Sequence, residues 1–347
     1  MKNNKSVIIW LLSGCFLVFV MVVVGGITRL TNSGLSMTDW HLVTDTFPPL
    51  SEEKWGNAFE EYKKFPEYQK INIHNDFTLE DYKFIYFWEW FHRTWARLMG
   101  LVFLFGFIYF LAKKKFEGRM IKPMVILFLL GGLQGFIGWF MVKSGLVPEK
   151  YFVGHIELTT HFIAALGLLC YTLWFALSLL IKPKQIVINA PLQKMMLAIM
   201  MVLFFQLIYG AFMAGLKAAV SAPTWPSING SMVPATMNEL SPWAKNLVSN
   251  NIMVHFVHRG LAYVLFILIT VWYFKAGVVK KNRLFGKLRF RLLVLVTLQL
   301  VLGIFAVLKS TQPNGLLLFG ALHQFIAMLL VMCIITLLYL LRKKSVI

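Results

Sequence analysis

The stretch Phe84-Ile85-Tyr86-Phe87-Trp88-Glu89-Trp90-Phe91-His92-Arg93, continuing from Thr94 to Ala112 and stopped by Lys113-Lys114-Lys115, decides how the chain is read. An apolar run of this length can cross a bilayer as one helix. It nevertheless carries a carboxylate and an imidazole near one end, and such groups are costly inside a membrane unless they are paired or used. Val257-His258-Arg259 repeats Phe91-His92-Arg93 near the start of another apolar run. His161 and His323 belong to two more, so that each of the four histidines lies seven or eight residues into its own segment.

The rest of the chain fits this frame. It is 58% hydrophobic and only 14% charged, which excludes an ordinary soluble domain. Apolar runs predict eight helices at about 7–28, 84–112, 122–143, 153–181, 193–216, 251–275, 291–309 and 316–341. The expected fold is an all-α polytopic membrane protein. The first run follows Lys2 and Lys5 and lacks a small-x-small cleavage site, so it reads as an uncleaved helix rather than a signal peptide. Cys15, Cys170 and Cys333 all fall inside apolar runs, which argues against a disulfide framework or a zinc site.

Charge sets the orientation. Net charge is +19, but the basic residues cluster between spans: Lys113 to Lys122, Lys182 to Lys194, Lys280 to Arg291, and Arg342 to Lys344. Of fifteen acids only Glu117 shares those connections, while ten lie between Asp39 and Asp81. By the positive-inside rule both termini are cytoplasmic and the long acidic loop faces outward. The same clustering removes nucleic acid as a partner.

The two halves resemble each other. Gln134-x-x-x-Gly138 matches Gln299-x-x-x-Gly303, Gly25 and Trp40 match Gly210 and Trp225 at one offset, and His161 corresponds to His323. This predicts a parallel repeat of two four-helix bundles, residues 1–185 and 186–347, with the long outer loop as an elaboration of the first. The Gln-x-x-x-Gly pairs read as helix packing, since glycine permits close approach and glutamine bonds across interfaces.

All four histidines sit on helices descending from the outer surface, about 11 Å deep at about 1.5 Å per residue. Two histidines at one depth on facing helices can ligate one heme iron axially. The natural pairs are His92 with His161 and His258 with His323. Arg93 and Arg259 follow the first histidine of each pair, where a guanidinium suits a heme propionate. Glu89 lies on the same helical face as His92; the second half has Val254 and His255 near that place. This asymmetry assigns chemistry to the first site and a fixed cofactor to the second, with a salt bridge to Arg93 or Arg97 as the structural alternative. His255 is a candidate support for its site, His41 and His155 read as interfacial, and His74 reads as a polar-loop residue.

These residues resemble the heme A synthase family over nearly the whole chain. The likeness rests on Gly25-Gly26-Ile27-Thr28-Arg29-Leu30-Thr31-x-Ser33-Gly34-Leu35-Ser36-Met37-x-x-Trp40, on Pro48-Pro49, Trp55 and Pro66-Glu67-Tyr68, and on the Glu89-x-x-His92-Arg93 stretch. Ala222-Pro223-Thr224-Trp225-Pro226, His258-Arg259 and His323 extend it. It is closest to the subgroup shared by mitochondria and Gram-negative bacteria. The resemblance implies oxidation of the C8 methyl group of heme O to a formyl group, through two hydroxylations and loss of water, giving heme A for terminal oxidases. It implies that His258 and His323 hold a resident heme b, that His92 and His161 hold the substrate heme, and that Glu89 is the family's acid. The chain lacks the loop cysteine pair of some members, and Asp45 and His255 depart from the family pattern.

Heme O synthase as a source of substrate, an unidentified electron donor, terminal oxidase assembly factors and membrane lipid are the implied partners, at the cell inner membrane with the heme sites toward the periplasm. Two other readings use the same histidines: a cytochrome b-type electron-transfer protein, which prefers hemes at two depths, and a heme carrier without turnover. A prenyltransferase needs acid-rich motifs that the inner loops lack.

Overall fold

The computed structural model describes residues 4–37, 46–145 and 152–342. Trp40, His41, Asp45, Lys2, Lys343 and Lys344 lie outside the described residues. The chain forms eight helices long and apolar enough to span a membrane: α1 (Lys5–Leu30), α2 (Leu79–Ala112), α3 (Gly118–Gly145), α4 (His155–Leu180), α5 (Ala190–Gly215), α6 (Asn251–Lys275), α7 (Arg283–Leu308) and α8 (Gly315–Leu340). No strand forms among the described residues. It is an all-α, multi-pass membrane protein.

Local chemistry sets the helix starts. Thr78 and Asp81 form a capping box, each side chain accepting the other's backbone N–H. This starts α2 at Leu79 rather than 84, because its first turn is polar yet helical. Asn189, Asn250 and Asn282 cap α5, α6 and α7 by accepting the N–H groups of Leu192, of Ile252 and Met253, and of Phe285. The Asn282 cap starts α7 at Arg283 rather than 291. Arg283, Lys287 and Arg289, read as loop residues, are therefore helical.

Helices α1, α4, α5 and α8 form the centre. α1 packs on α2 and α4, and α3 on α4; α5 packs on α6 and α8, and α7 on α6 and α8. Contacts of α4 with α5 and α8, and of α1 with α8, join the two groups around Leu169, Met196, Ile199, Ile269, Trp272 and Ile334. Lipid is as apolar as these side chains, so close packing and hydrogen bonds hold such a centre. Trp272 Nε1 donates to Leu192 O at 3.1 Å, and Gln324 Nε2 donates to Val22 O at 2.7 Å. The groups differ in one respect. α6 packs on α7, whereas α2 and α3 make no comparable approach, and far less of each is buried.

The segment read only as a long loop folds into helices Glu52–Lys63 and Pro66–Lys70. Phe59, Tyr62, Tyr82, Ile85, Tyr86 and Met37 make a small aromatic core that fixes it onto the start of α2. Glu67 is buried there and accepts from the Tyr62 hydroxyl at 3.2 Å, while Asn72 Nδ2 donates to the same hydroxyl at 2.8 Å. Burial pushes the Glu67 carboxyl up to about 8 and raises the Tyr62 phenol above its ordinary value.

Candidate functional site

Each of the four histidines lies against a glycine near the end of the helix that precedes its own. A Cβ on Gly25 of α1 would stand 2.9 Å from His92 Cε1, and one on Gly138 of α3 would stand 2.8 Å from His161 Cε1. The corresponding distances are 3.3 Å between Gly210 of α5 and His258, and 2.9 Å between Gly303 of α7 and His323. Glycine is required here for close approach, because the imidazole takes the space of a side chain.

Three of the four glycines have a glutamine one turn earlier whose amide reaches the imidazole. Gln134 Nε2 is 3.2 Å from His161 Nδ1, Gln206 Nε2 is 3.4 Å from His258 Nε2, and Gln299 Nε2 is 3.0 Å from His323 Nε2. Packing between helices was the sequence expectation for Gln134 and Gln299. Both do bond across a helix interface, and the group each meets there is a histidine ring. Gln206 went unnoticed, although Gln206-x-x-x-Gly210 has the same spacing.

The predicted pairs come together. The rings of His258 and His323 are 6.4 Å apart, centre to centre, with their planes at 71°. His92 and His161 lie near each other on α2 and α4, which both pack against α1. An imidazole bonds a transition metal at roughly 2 Å, so two rings sharing one iron have centres roughly 6 Å apart. The Nδ1 atoms of His92, His258 and His323 are buried without a hydrogen-bond partner. Among the described residues no group of three His, Cys, Asp or Glu could hold a bare metal ion. A heme needs only two axial ligands, because the porphyrin supplies the rest, and the residues present fit that group.

Glu89 is buried, with 3% of its side chain exposed. Its Oε1 accepts from Arg93 Nη2 at 2.5 Å, and its Oε2 accepts from Ser36 Oγ at 2.7 Å and from the Met37 N–H at 2.8 Å. Every one of these partners donates, which is the pairing a carboxylate anion accepts. Arg93 Nη2 also donates to Met37 O at 3.4 Å. The segment after α1 is thereby tied to the face of α2 that carries His92.

Arg259 is held differently. It donates to the carbonyls of Ala222, Thr224, Pro226 and Ser227, and its Nε lies 3.3 Å from His255 Nε2. His255 is fully buried. His155 packs edge-on against Phe212, and His74 ends a short turn of the 52–75 segment. The three cysteines are unpaired.

Residues 8–335 match the family described as cytochrome oxidase assembly protein, COX15-CtaA. The heme A synthase of Flavobacterium johnsoniae is 51% identical, over 95% of this chain and 96% of its own length. That of Flavobacterium psychrophilum is 50% identical over 95% and 96%. The heme A synthase of Nitrosospira multiformis is 37% identical over 92% of each chain. A likeness this strong over nearly the whole length, on a bundle that brings two histidine pairs together, leads to one conclusion: the chain belongs to the COX15-CtaA family of cytochrome oxidase assembly proteins.

Proposed function

We propose that the chain is a heme A synthase, oxidising the C8 methyl group of heme O to a formyl group in the cytoplasmic membrane and providing heme A for terminal oxidases. The observation that carries this reading is an asymmetry between two matching sites. Glu89 stands one turn before His92, on the same face, whereas the position three before His258 is His255. A scaffold that needs no acid to hold a heme has one in a single half.

Residues 186–347 then hold heme b between His258 and His323, and residues 1–185 hold the substrate heme O between His92 and His161. The iron of the resident heme supplies redox chemistry when bound. Arg93 and Arg259 bring positive charge beside the first histidine of each pair, where propionates call for it. Glu89 is fixed by three donors and presents negative charge beside His92, suited to stabilise cationic character at the oxidised carbon or to accept its proton. With both termini cytoplasmic, the two sites lie toward the outer face. Heme O synthase, an electron donor and oxidase assembly factors are the partners this role requires.

The test is extraction and chromatography of hemes from the full chain purified from cells that make heme O. Wild type is expected to carry heme b with heme A or a hydroxylated intermediate, and Glu89→Ala to stall at heme O or the alcohol. Heme b alone in both, with no new product in the cells, overturns the proposal in favour of electron transfer.

A further inference from the structure

Four helix pairs place a histidine against a glycine, but only three add the glutamine. Counting back one turn from the glycine gives Gln134 on α3, Gln206 on α5 and Gln299 on α7; on α1 the same step gives Met21. The three glutamine amides reach His161, His258 and His323 at 3.2, 3.4 and 3.0 Å. Among the described residues nothing equivalent reaches His92; its unpartnered Nδ1 is shared by His258 and His323, whose glutamines meet Nε2. A thioether cannot substitute, since it has no N–H and accepts only weakly.

A histidine bound to a metal through one ring nitrogen is oriented by what its other nitrogen meets, and that second contact governs how tightly the metal is held. The carbonyl oxygens of Gln134, Gln206 and Gln299 are all buried and otherwise unpartnered. Amide oxygen and nitrogen interchange by a half-turn of the side chain. Each glutamine can therefore meet a ring nitrogen in either protonation state. Both ligands of the second pair are secured in this way, but only one of the first. The helices around the first pair are also the more open, since α2 and α3 do not pack as α6 and α7 do.

We propose that Gln134, Gln206 and Gln299 are positioning residues for the axial histidines, and that Met21 leaves His92 as the weakly held ligand, making the first site the one that exchanges its heme. The inference rests on the heme reading given above. A substrate heme must arrive and a product heme must leave, whereas a resident heme must stay. The fourth glutamine is missing at the ligand where release is needed.

The experiment measures heme transfer from the purified, heme-loaded full chain to excess apomyoglobin, followed in the Soret band, together with the low-spin ferric signal by electron paramagnetic resonance. Wild type is expected to lose heme in a fast and a slow phase, with the fast phase absent in His92→Ala. Met21→Gln slows the fast phase about tenfold, and Gln299→Leu speeds the slow phase about tenfold and shifts the low-spin signal. Gln299→Glu, which keeps the length and an acceptor oxygen, retains the wild-type signal. Unchanged rates and signal in both Met21→Gln and Gln299→Leu overturn the inference and leave the heme reading standing. Should Gln299→Leu fail to fold, Met21→Gln decides alone. A wild-type chain with no heme sensitive to His258→Ala overturns the heme reading and this inference with it.

Discussion

Arg93 lies one turn beyond Glu89 on α2, and its guanidinium donates to one carboxylate oxygen while Ser36 and Met37 occupy the other. The pair is nearly dry, with 3% of the Glu89 side chain and 10% of the Arg93 side chain exposed. Removing one partner of such a pair leaves an uncompensated buried charge, at about 3–5 kcal/mol. Glu89→Gln is therefore expected to lower the melting temperature and to abolish formation of heme A. Adding Arg93→Leu to Glu89→Gln should restore much of the melting temperature and none of the activity. Thermal melts beside heme chromatography separate the two effects, and recovery of activity in the double variant would assign Glu89 a structural role only.

The four glycines should not tolerate alanine equally. The added Cβ would stand 2.8 Å from the His161 ring at Gly138 and 2.9 Å from its histidine at Gly25 and Gly303, but 3.3 Å at Gly210. Gly210→Ala needs the ring to give by only a few tenths of an ångström. Gly138→Ala and Gly303→Ala force it to move. Heme per polypeptide, measured by absorbance, should fall least for Gly210→Ala; an equal loss at Gly210 and Gly303 would contradict this ranking.

Ligand removal should sort the sites. His258→Ala and His323→Ala are expected to lose the resident heme b. His92→Ala and His161→Ala should keep it while forming no heme A. Reduced-minus-oxidised spectra of the four variants are the check, and loss of the same heme in all four would merge the two sites into one.

Glu67 makes the segment between α1 and α2 sensitive to pH. Its carboxyl is raised by burial from an ordinary 4.5 to about 8. Below the lower value both folded and unfolded segments hold the proton, and the stabilisation is complete. As pH rises between the two, the unfolded segment releases its proton and the folded one keeps it, so stability declines; above about 8 the contribution is gone. Lys217, whose ammonium burial holds below its ordinary value, and Arg29 face the same carboxyl and partly oppose its shift. Limited proteolysis of residues 46–78 should be faster at about pH 9 than at about pH 5, and Glu67→Gln should flatten the difference.

Much of the bundle was legible in the sequence because a span is defined by composition over many residues. The four histidines were legible because polar groups in apolar runs are rare. The starts of α2 and α7 were hidden, since Glu80, Asp81 and Lys83, or Arg283, Lys287 and Arg289, look like loop residues until the Thr78 and Asn282 caps are weighed. Helix Glu52–Lys63 was obscured by its charges; its aromatic residues Trp55, Phe59 and Tyr62 were the available signal. Gln134 and Gln299 were visible, but only the fold shows which neighbour an amide turns to. Gln206 could have been found by applying the same spacing to Gly210.

Each of the four Gly–His contacts described above falls within two consecutive helices, so the smallest piece of this protein that presents one of these histidines is a helical hairpin. One hairpin offers a single imidazole; on the heme reading proposed above, two would share an iron only where two hairpins meet face to face. Insertions at the tip of a hairpin leave its histidine against its glycine, as the helical segment between α1 and α2 illustrates. The links between hairpins have no such latitude. Sliding one hairpin along its neighbour by a single turn, about 5.4 Å, would take two histidines out of opposition while every helix stayed intact.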